Sequence, residues 1–257
     1  MSDEIALSVR DAVLRFGGIT AVDGVGFDVE RGETFGIIGP NGAGKTALLN
    51  CVSGVYRLDG GTISLFGTRV DGLAPHRVSA LGLARTFQNT EHFKRFTLLD
   101  YVLLGAVHRG RASALWSVLA WPVMERAERR ERAAAREVLD LLGLAPLAME
   151  ELAELPYGVQ KRADIARALA ARPQVLLLDE PTSGTTTGER ADVADAIDQV
   201  CAAGVTTVLV DHDVDFVSRR CGRTLVLAHG TPLGVGTPAE MLARPDVVEA
   251  FLGVPSA

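Results

Sequence analysis

Residues 39–46 read GPNGAGKT, which places Gly39, Gly44, Lys45 and Thr46 at the spacing G-x-x-x-x-G-K-[ST]. Glycines at this spacing let a loop close around an anion. Successive backbone N–H groups then point inward, and a helix that starts just behind them adds the positive end of its dipole. The stretch Gly39, Pro40, Asn41, Gly42, Ala43 and Gly44 is therefore a candidate phosphate cradle, with Lys45 as the cation for the outer phosphates and Thr46 as an oxygen ligand for Mg²⁺. An accidental Gly-rich turn is the competing reading. Context disfavours it, because the apolar run TFGII precedes the loop and the helix-patterned ALLNCVSG follows it.

A cradle of this kind needs a carboxylate on the metal side and an acceptor for an attacking water. VLLLDE, residues 175–180, supplies both at the end of an apolar run: Asp179 to hold a Mg²⁺-bound water near the terminal phosphate, and Glu180 to polarise the nucleophile. By itself a DE pair after an apolar run is often a strand-end turn. With the cradle in the same chain, the chemical reading is preferred. The sequence then continues PTSGTTTG, eight residues without a charge, in which Thr186 and the following Glu189 fit the T-x-x-E capping box of a helix start.

The elements that must carry these groups can be traced along the chain. ALSVRDAVLRF, VGFDVE and TFGIIG are short β-type runs joined by Gly-rich turns, an antiparallel lead-in to a buried strand. A helix is predicted from about residue 75 to 81 after GGTISLFG. From about 98 to 142 the pattern is helical, with Ala127, Ala134, Val138, Leu141 and Leu142 predicted on one face. KRADIARALAA, VLLLDE, a helix over about 188–203 and VTTVLVD then alternate, which indicates a parallel sheet covered on both sides. The C-terminal stretch reads as a small hairpin and two short helices. The fold class expected is α/β, with a mostly parallel core sheet, an N-terminal antiparallel β subdomain and a helical insert.

Composition narrows the function classes. The 257 residues are 47% apolar, enough for one sizeable core, and 26 basic against 32 acidic residues give a formal charge of −6, which argues against a chain that coats nucleic acid by charge. The start, MSDEIALSVRD, lacks the basic end and apolar core of a secretory signal, so a cytosolic location is expected. Cys51, Cys201 and Cys221 are far apart and suggest neither zinc nor disulfides. The longest uncharged apolar run, ASALWSVLAWPVM, is shorter than the roughly 18 residues of a membrane span and reads as a buried or interfacial helix.

Further pieces follow in a fixed order: RTFQNT with Gln88, LPYGVQKR with Tyr157 and Gly158 about twenty residues before the DE pair, and VLVDHD with His212. Cradle, glutamine, glycine-centred turn, DE pair and histidine in this order resemble the ATP-binding cassette (ABC) ATPases. The resemblance covers nearly the whole chain. The RTFQ segment, the LxYGxQ turn and the tail GTPAEMLARPDVVEAFLG are most similar to the ATPase subunits of branched-chain amino acid importers. It implies a P-loop NTPase fold, one ATP-binding domain over 1–257 with a helical subdomain at about 89–160, and ATP and Mg²⁺ as cofactors. The implied setting is the cytoplasmic face of the cell membrane, beside permease subunits and a second ABC ATPase subunit, with a solute-binding protein acting indirectly and no nucleic acid.

By the same likeness Phe16 stacks on adenine, Gln88 links the site and its metal to the permease, His212 contacts the γ-phosphate, and Tyr157 and Gly158 serve the nucleotide of the facing subunit. The segment from Gln88 to about Tyr101, with His92, Phe93 and Phe96, is expected to form part of a permease-facing groove. Four positions depart from the family pattern. Ala47 replaces a hydroxyl that would contact the α-phosphate. Pro156 replaces the signature serine, at what is expected to be the first turn of a helix. Thr185 and Thr186 replace a Leu-Asp pair whose aspartate helps the facing site. The cis residues are intact and the trans residues are altered, which leaves two readings: a hydrolysing importer subunit, or an ATP-binding clamp with weak hydrolysis in an asymmetric heteromeric complex. A DNA-repair or translation ABC protein is disfavoured, since those join two cassettes or carry a long coiled coil.

Overall fold

A computed structural model of the chain describes residues 4–86, 93, 95–106 and 121–252, with side chains from 129 onward in the last stretch. Two long strands, β1 (Ile5–Phe16) and β2 (Ile19–Glu30), pair antiparallel and are extended by β4 (Gly60–Leu65) and β5 (Thr68–Arg69) into a four-stranded sheet of order β2-β1-β4-β5. The second sheet is built from β3 (Thr34–Ile38), β6 (Leu83–Arg85), β7 (Val175–Asp179), β8 (Thr206–Val210), β9 (Arg223–Ala228) and β10 (Thr231–Gly236) in the order β10-β9-β3-β8-β7-β6. Its four inner pairings, from β9 to β6, are parallel, and β10 closes the edge antiparallel to β9. This is the lead-in, the mostly parallel sheet and the terminal hairpin that the sequence predicts.

Strand periodicity divides the core in two. Along β7, Val175 and Leu177 enter the cluster shared with the antiparallel sheet and α1 (Lys45–Val52), while Leu176 and Leu178 enter the cluster shared with the helices. β8 repeats the alternation with Val208 and Val210 against Leu209. A strand apolar at every position is thus explained by burial on both faces. α2 (Pro75–Ala80), with Pro75 at its first position, and α6 (Thr187–Ala202) fall within a residue or so of their predicted ends.

The helical layer consists of α3 (Leu98–Ala106), α4 (Trp121–Leu141), α5 (Tyr157–Ala170) and α6. α3 crosses α5 so closely that a Cβ on Gly105 would stand 1.8 Å from the carbonyl oxygen of Arg167. Of the predicted face, Ala134 and Leu142 are buried, Val138 packs against the core, and the Ala127 side chain lies outside the described residues; Leu141 is a correction, 45% exposed, while Ala135 and Leu139 are fully buried. On a 3.6-residue repeat, Leu141 sits beyond the edge of the stripe centred on Leu139, so the buried stripe extends toward Ala135 and Leu139 and leaves Leu141 outside it. Short helices α7 (Val214–Ser218), α8 (Pro238–Leu242) and α9 (Pro245–Leu252) complete the chain. Among the described residues no helix is long and apolar enough to cross a membrane.

Candidate functional site

The C-terminal ends of β3, β8 and β7 lie side by side, Ile37 and Asp179 both pairing with Val210 of the central strand. The 39–46 loop leaves β3 at this edge, where neighbouring backbone pinches it. A Cβ on Gly39 would come within 2.1 Å of the Leu227 carbonyl oxygen, and one on Gly44 (φ +96°) within 2.3 Å of the Ala21 carbonyl oxygen. Only glycine fits at either point. Further stitching comes from Gly230 N–H donating to the Ala43 carbonyl (3.1 Å) and Asp23 N–H to the Gly230 carbonyl (2.8 Å). The loop runs into the first turn of α1, which has no acidic residue and no side-chain cap, so the positive end of the helix is available to an anion.

Lys45 opens α1 and is buried, its Nζ donating to the carbonyls of Gly39 (2.7 Å) and Pro40 (3.0 Å). Burial pulls its pKa down, and the nearby carboxylates of Glu180, Asp179 and Asp211 push back. Cradle, lysine and acid pair are therefore one cluster. Thr46 and Ala47 follow on α1, and the Ala47 methyl packs against the core beneath the loop.

Asp179 ends β7 with its side chain wholly buried. Arg85 Nη2 donates to its Oδ2 at 2.7 Å, and Arg85 Nη1 donates to Asn50 Oδ1 (2.6 Å) on α1 and to Ser53 Oγ (3.2 Å) at its C-cap. Glu180 follows with φ +48° and donates its N–H to the Val210 carbonyl at 2.8 Å. A side-chain-bearing residue in this left-handed region costs about 1–2 kcal/mol. His212 is half exposed, with Nδ1 3.4 Å from Asp211 Oδ1. Asp211 itself is fully buried, accepting from Thr182 Oγ1 (2.7 Å) and from the N–H of Asp213 (3.0 Å). It ties the DEPTSG turn to the histidine strand and was not singled out from the sequence. Phe16, at the end of β1, is 47% exposed and meets Tyr56 edge-on, ring centroids 5.2 Å apart. Among the described residues no group of three or more His, Cys, Asp or Glu could hold a metal ion. A hard cation shared by Thr46 and Asp179 would therefore complete its oxygen shell from nucleotide phosphates.

The elements assigned to the facing nucleotide are tied together in cis. Pro156 is the N-cap of α5, with φ −52° and no side-chain cap, rather than a residue of its first turn; its carbonyl accepts from Val159 N–H (2.9 Å) and Gln160 N–H (3.0 Å). Gly158 N–H, in that first turn, donates to Glu189 Oε1 at 2.8 Å. The same carboxylate accepts through Oε2 from Thr186 N–H (3.0 Å) and Thr186 Oγ1 (2.8 Å), closing the capping box of α6. These donors, Thr186 first, hold the Glu189 carboxyl below its usual range. A Cβ on Gly158 would meet Glu189 Cβ at 2.6 Å, so glycine is what lets α5 approach the start of α6. Tyr157 covers Gly184, and Thr185 Oγ1 donates to the Thr182 carbonyl at 2.7 Å.

Gln88 and His92 lie outside the described residues. Of the aromatic segment, Phe93 lines a groove of about 610 Å³ together with Val55, Ser79, Arg85 and Leu104. Phe96 is partly exposed and packs edge-on to Phe93, whereas Tyr101 is fully buried and belongs to the core.

An α/β sheet with a glycine-pinched anion loop, a buried lysine and a strand-end acid pair defines a nucleotide-binding cassette with a P-loop NTPase fold. The chain belongs to the ABC transporter family, which it matches over residues 22–183. It is similar to the high-affinity branched-chain amino acid transport ATP-binding protein BraF of Pseudomonas aeruginosa, at 36% identity over 248 residues, covering 96% of this chain and 97% of that protein. LivG of Escherichia coli, which carries the same description, is also 36% identical, over 249 residues with the same coverage. Among solved structures, a nucleotide-free ATP-binding cassette from an ABC transporter superposes with a TM-score of 0.85 at 28% identity, covering 96% of this chain and 98% of that one. A cassette in its ADP conformation gives 0.85 at 27% identity, covering 97% and 99%.

Proposed function

We propose that this chain is the ATP-binding and ATP-hydrolysing subunit that energises a membrane importer for branched-chain amino acids or a similar small solute. In this reading it is one cassette, 1–257, with a helical subdomain at about 89–160. It works at the cytoplasmic face of the cell membrane with permease subunits and a second ATPase subunit, and a solute-binding protein acts indirectly. The observation that carries the ATPase reading is the convergence of the 39–46 loop, Lys45, Asp179, Glu180 and the Asp211–His212 pair at three adjacent strand ends. The solute follows from what the similar proteins are said to transport.

The loop N–H groups and the α1 N-terminus take the phosphates. Lys45 exchanges its two loop carbonyls for phosphate oxygens. Thr46, Asp179 and Gln88 would hold Mg²⁺, which when bound would supply neutralisation of the phosphate charge. Glu180, held at its strained turn, accepts the proton of the attacking water, and His212, steadied by Asp211, faces the γ-phosphate. Phe16 offers an exposed ring to the base. The groove beside Phe93 is the docking site for a permease segment.

A second reading, the ATP-binding clamp of an asymmetric complex, is favoured by one observation: Gly158 N–H is engaged by Glu189, and Pro156 offers no hydroxyl. In a homodimer both sites would share that defect. Beside a partner with an intact signature, one site would join this chain's cis residues to a competent trans half. Calorimetry with Mg²⁺ and ATP tests the shared core of both readings. Lys45→Ala should abolish binding, and unchanged affinity would remove the assignment.

A further inference from the structure

The groove and the metal carboxylate meet at one side chain. Arg85 forms part of the groove wall, and its guanidinium forks to Asp179 Oδ2 on one side and to Asn50 of α1 and Ser53 at its C-cap on the other. Its carbonyl continues the connection outward. Arg167 Nη2 donates to Arg85 O at 3.0 Å, Arg167 Nε donates to Asp164 Oδ1 at 2.9 Å, and the same oxygen accepts from Tyr101 Oη at 2.9 Å. A buried polar chain thus runs from the end of β7, through the groove wall, to α5 and α3. Arg167 is also a groove residue.

We infer that Arg85 is a positioning residue that couples the groove to the metal site by competing with the metal for Asp179. The inference rests on the reading of Asp179 as the metal carboxylate. Its physical basis is charge. Two cations that share one buried carboxylate repel each other across a short distance in a region of reduced dielectric, so each weakens the hold of the other. In the structure the guanidinium sits on Oδ2 with the carboxylate side chain excluded from solvent and the arginine only 16% exposed. The permease segment proposed for the groove, by accepting hydrogen bonds from Arg85, would draw it from Asp179 and strengthen metal binding there. Docking at the groove and Mg²⁺–nucleotide binding then become mutually favourable, as linkage requires.

The test uses the full chain and calorimetric titration with ADP, with and without Mg²⁺. The readout is the Mg²⁺-dependent gain in affinity. Arg85→Gln should raise that gain by about tenfold, because removing a cation beside Asp179 relieves a repulsion specific to the metal. Arg85→Lys, which keeps the charge, should restore the wild-type gain; a merely structural role would lower both affinities alike and leave the gain unchanged. A fluorophore attached through Ser79→Cys on the groove wall reads the coupling. Its emission should respond to Mg²⁺–ADP when Arg85 is present and fall silent in Arg85→Gln. Thermal unfolding confirms that each variant is folded, and if Arg85→Gln does not fold, Arg85→Met and Arg85→Lys carry the same comparison. An unchanged or reduced Mg²⁺ gain in the neutral variant would overturn the inference. Asp179→Asn separates the two claims. If it abolishes the Mg²⁺ gain while Arg85→Gln leaves the gain unaltered, only the coupling fails; if it leaves the gain intact, the metal assignment fails as well.

Discussion

Pro156→Ser should change turnover without changing stability, and the structure gives both magnitudes. A serine at an N-cap that lacks a side-chain acceptor contributes about 0.5–2 kcal/mol. Here the gain belongs at the low end, because Gly158 N–H is already held by Glu189 and Val159 N–H by the Pro156 carbonyl. Against it, losing a proline whose φ of −52° suits its ring frees the unfolded chain, at a cost of about 0.4–1 kcal/mol. The two nearly cancel, so the midpoint of thermal unfolding should move by no more than about 2 °C. Turnover is different. A hydroxyl bonded to a charged phosphate oxygen contributes about 1.5–3 kcal/mol, and if it is made mainly in the transition state it raises the rate about tenfold or more. Thr186→Asp should add to this. It keeps the α6 cap, removes the Thr186 hydroxyl donor from Glu189 and repels that carboxylate, loosening its hold on Gly158. Phosphate release measured on a homodimer verified by light scattering checks the double variant, with ATP affinity of the monomer as control. Fast hydrolysis by the unmodified homodimer, or no gain in a verified dimer of the repaired chain, would refute the reasoning.

Two other outcomes follow from backbone geometry. Gly44→Ala should abolish nucleotide binding and lower thermal stability, since its methyl would stand 2.3 Å from the Ala21 carbonyl oxygen at a φ of +96°; calorimetry and a melting curve read both effects. Glu180→Gly should stabilise the fold by about 1 kcal/mol, through relief of the left-handed conformation at φ +48°, while eliminating hydrolysis; denaturant unfolding and phosphate release should move in opposite directions.

Much of the frame was legible because it rests on periodicity and local chemistry. Residues 175–179 read as a two-faced strand from their unbroken apolar run, and Thr186 with Glu189 announced the start of α6 through a four-residue pattern. The cradle was legible because its residues are contiguous. What the sequence did not yield are contacts between distant positions. Arg85 reaches Asp179 across 94 residues and Glu189 reaches Gly158 across 31, and neither pairing leaves a local signature. Asp211 lies beside His212 in VLVDHD, yet its burial depends on strands that meet only in the fold. The buried stripe of α4 has a similar origin. Ala134, Ala135, Val138, Leu139, Leu141 and Leu142 make the helix apolar over more than half a turn, so the buried centre is decided by how α4 lies on its neighbours.

The central claim is that this chain hydrolyses ATP through Glu180 while driving a membrane importer. The most direct measurement is phosphate release by the complex that copurifies from membranes with a tagged copy of this chain, compared between wild type and Glu180→Gln. The account predicts permease subunits in the complex, ATP hydrolysis by the wild type, and a collapse of turnover in Glu180→Gln with nucleotide still bound. A complex whose turnover survives Glu180→Gln, or a wild-type complex that binds ATP without hydrolysing it, would contradict it.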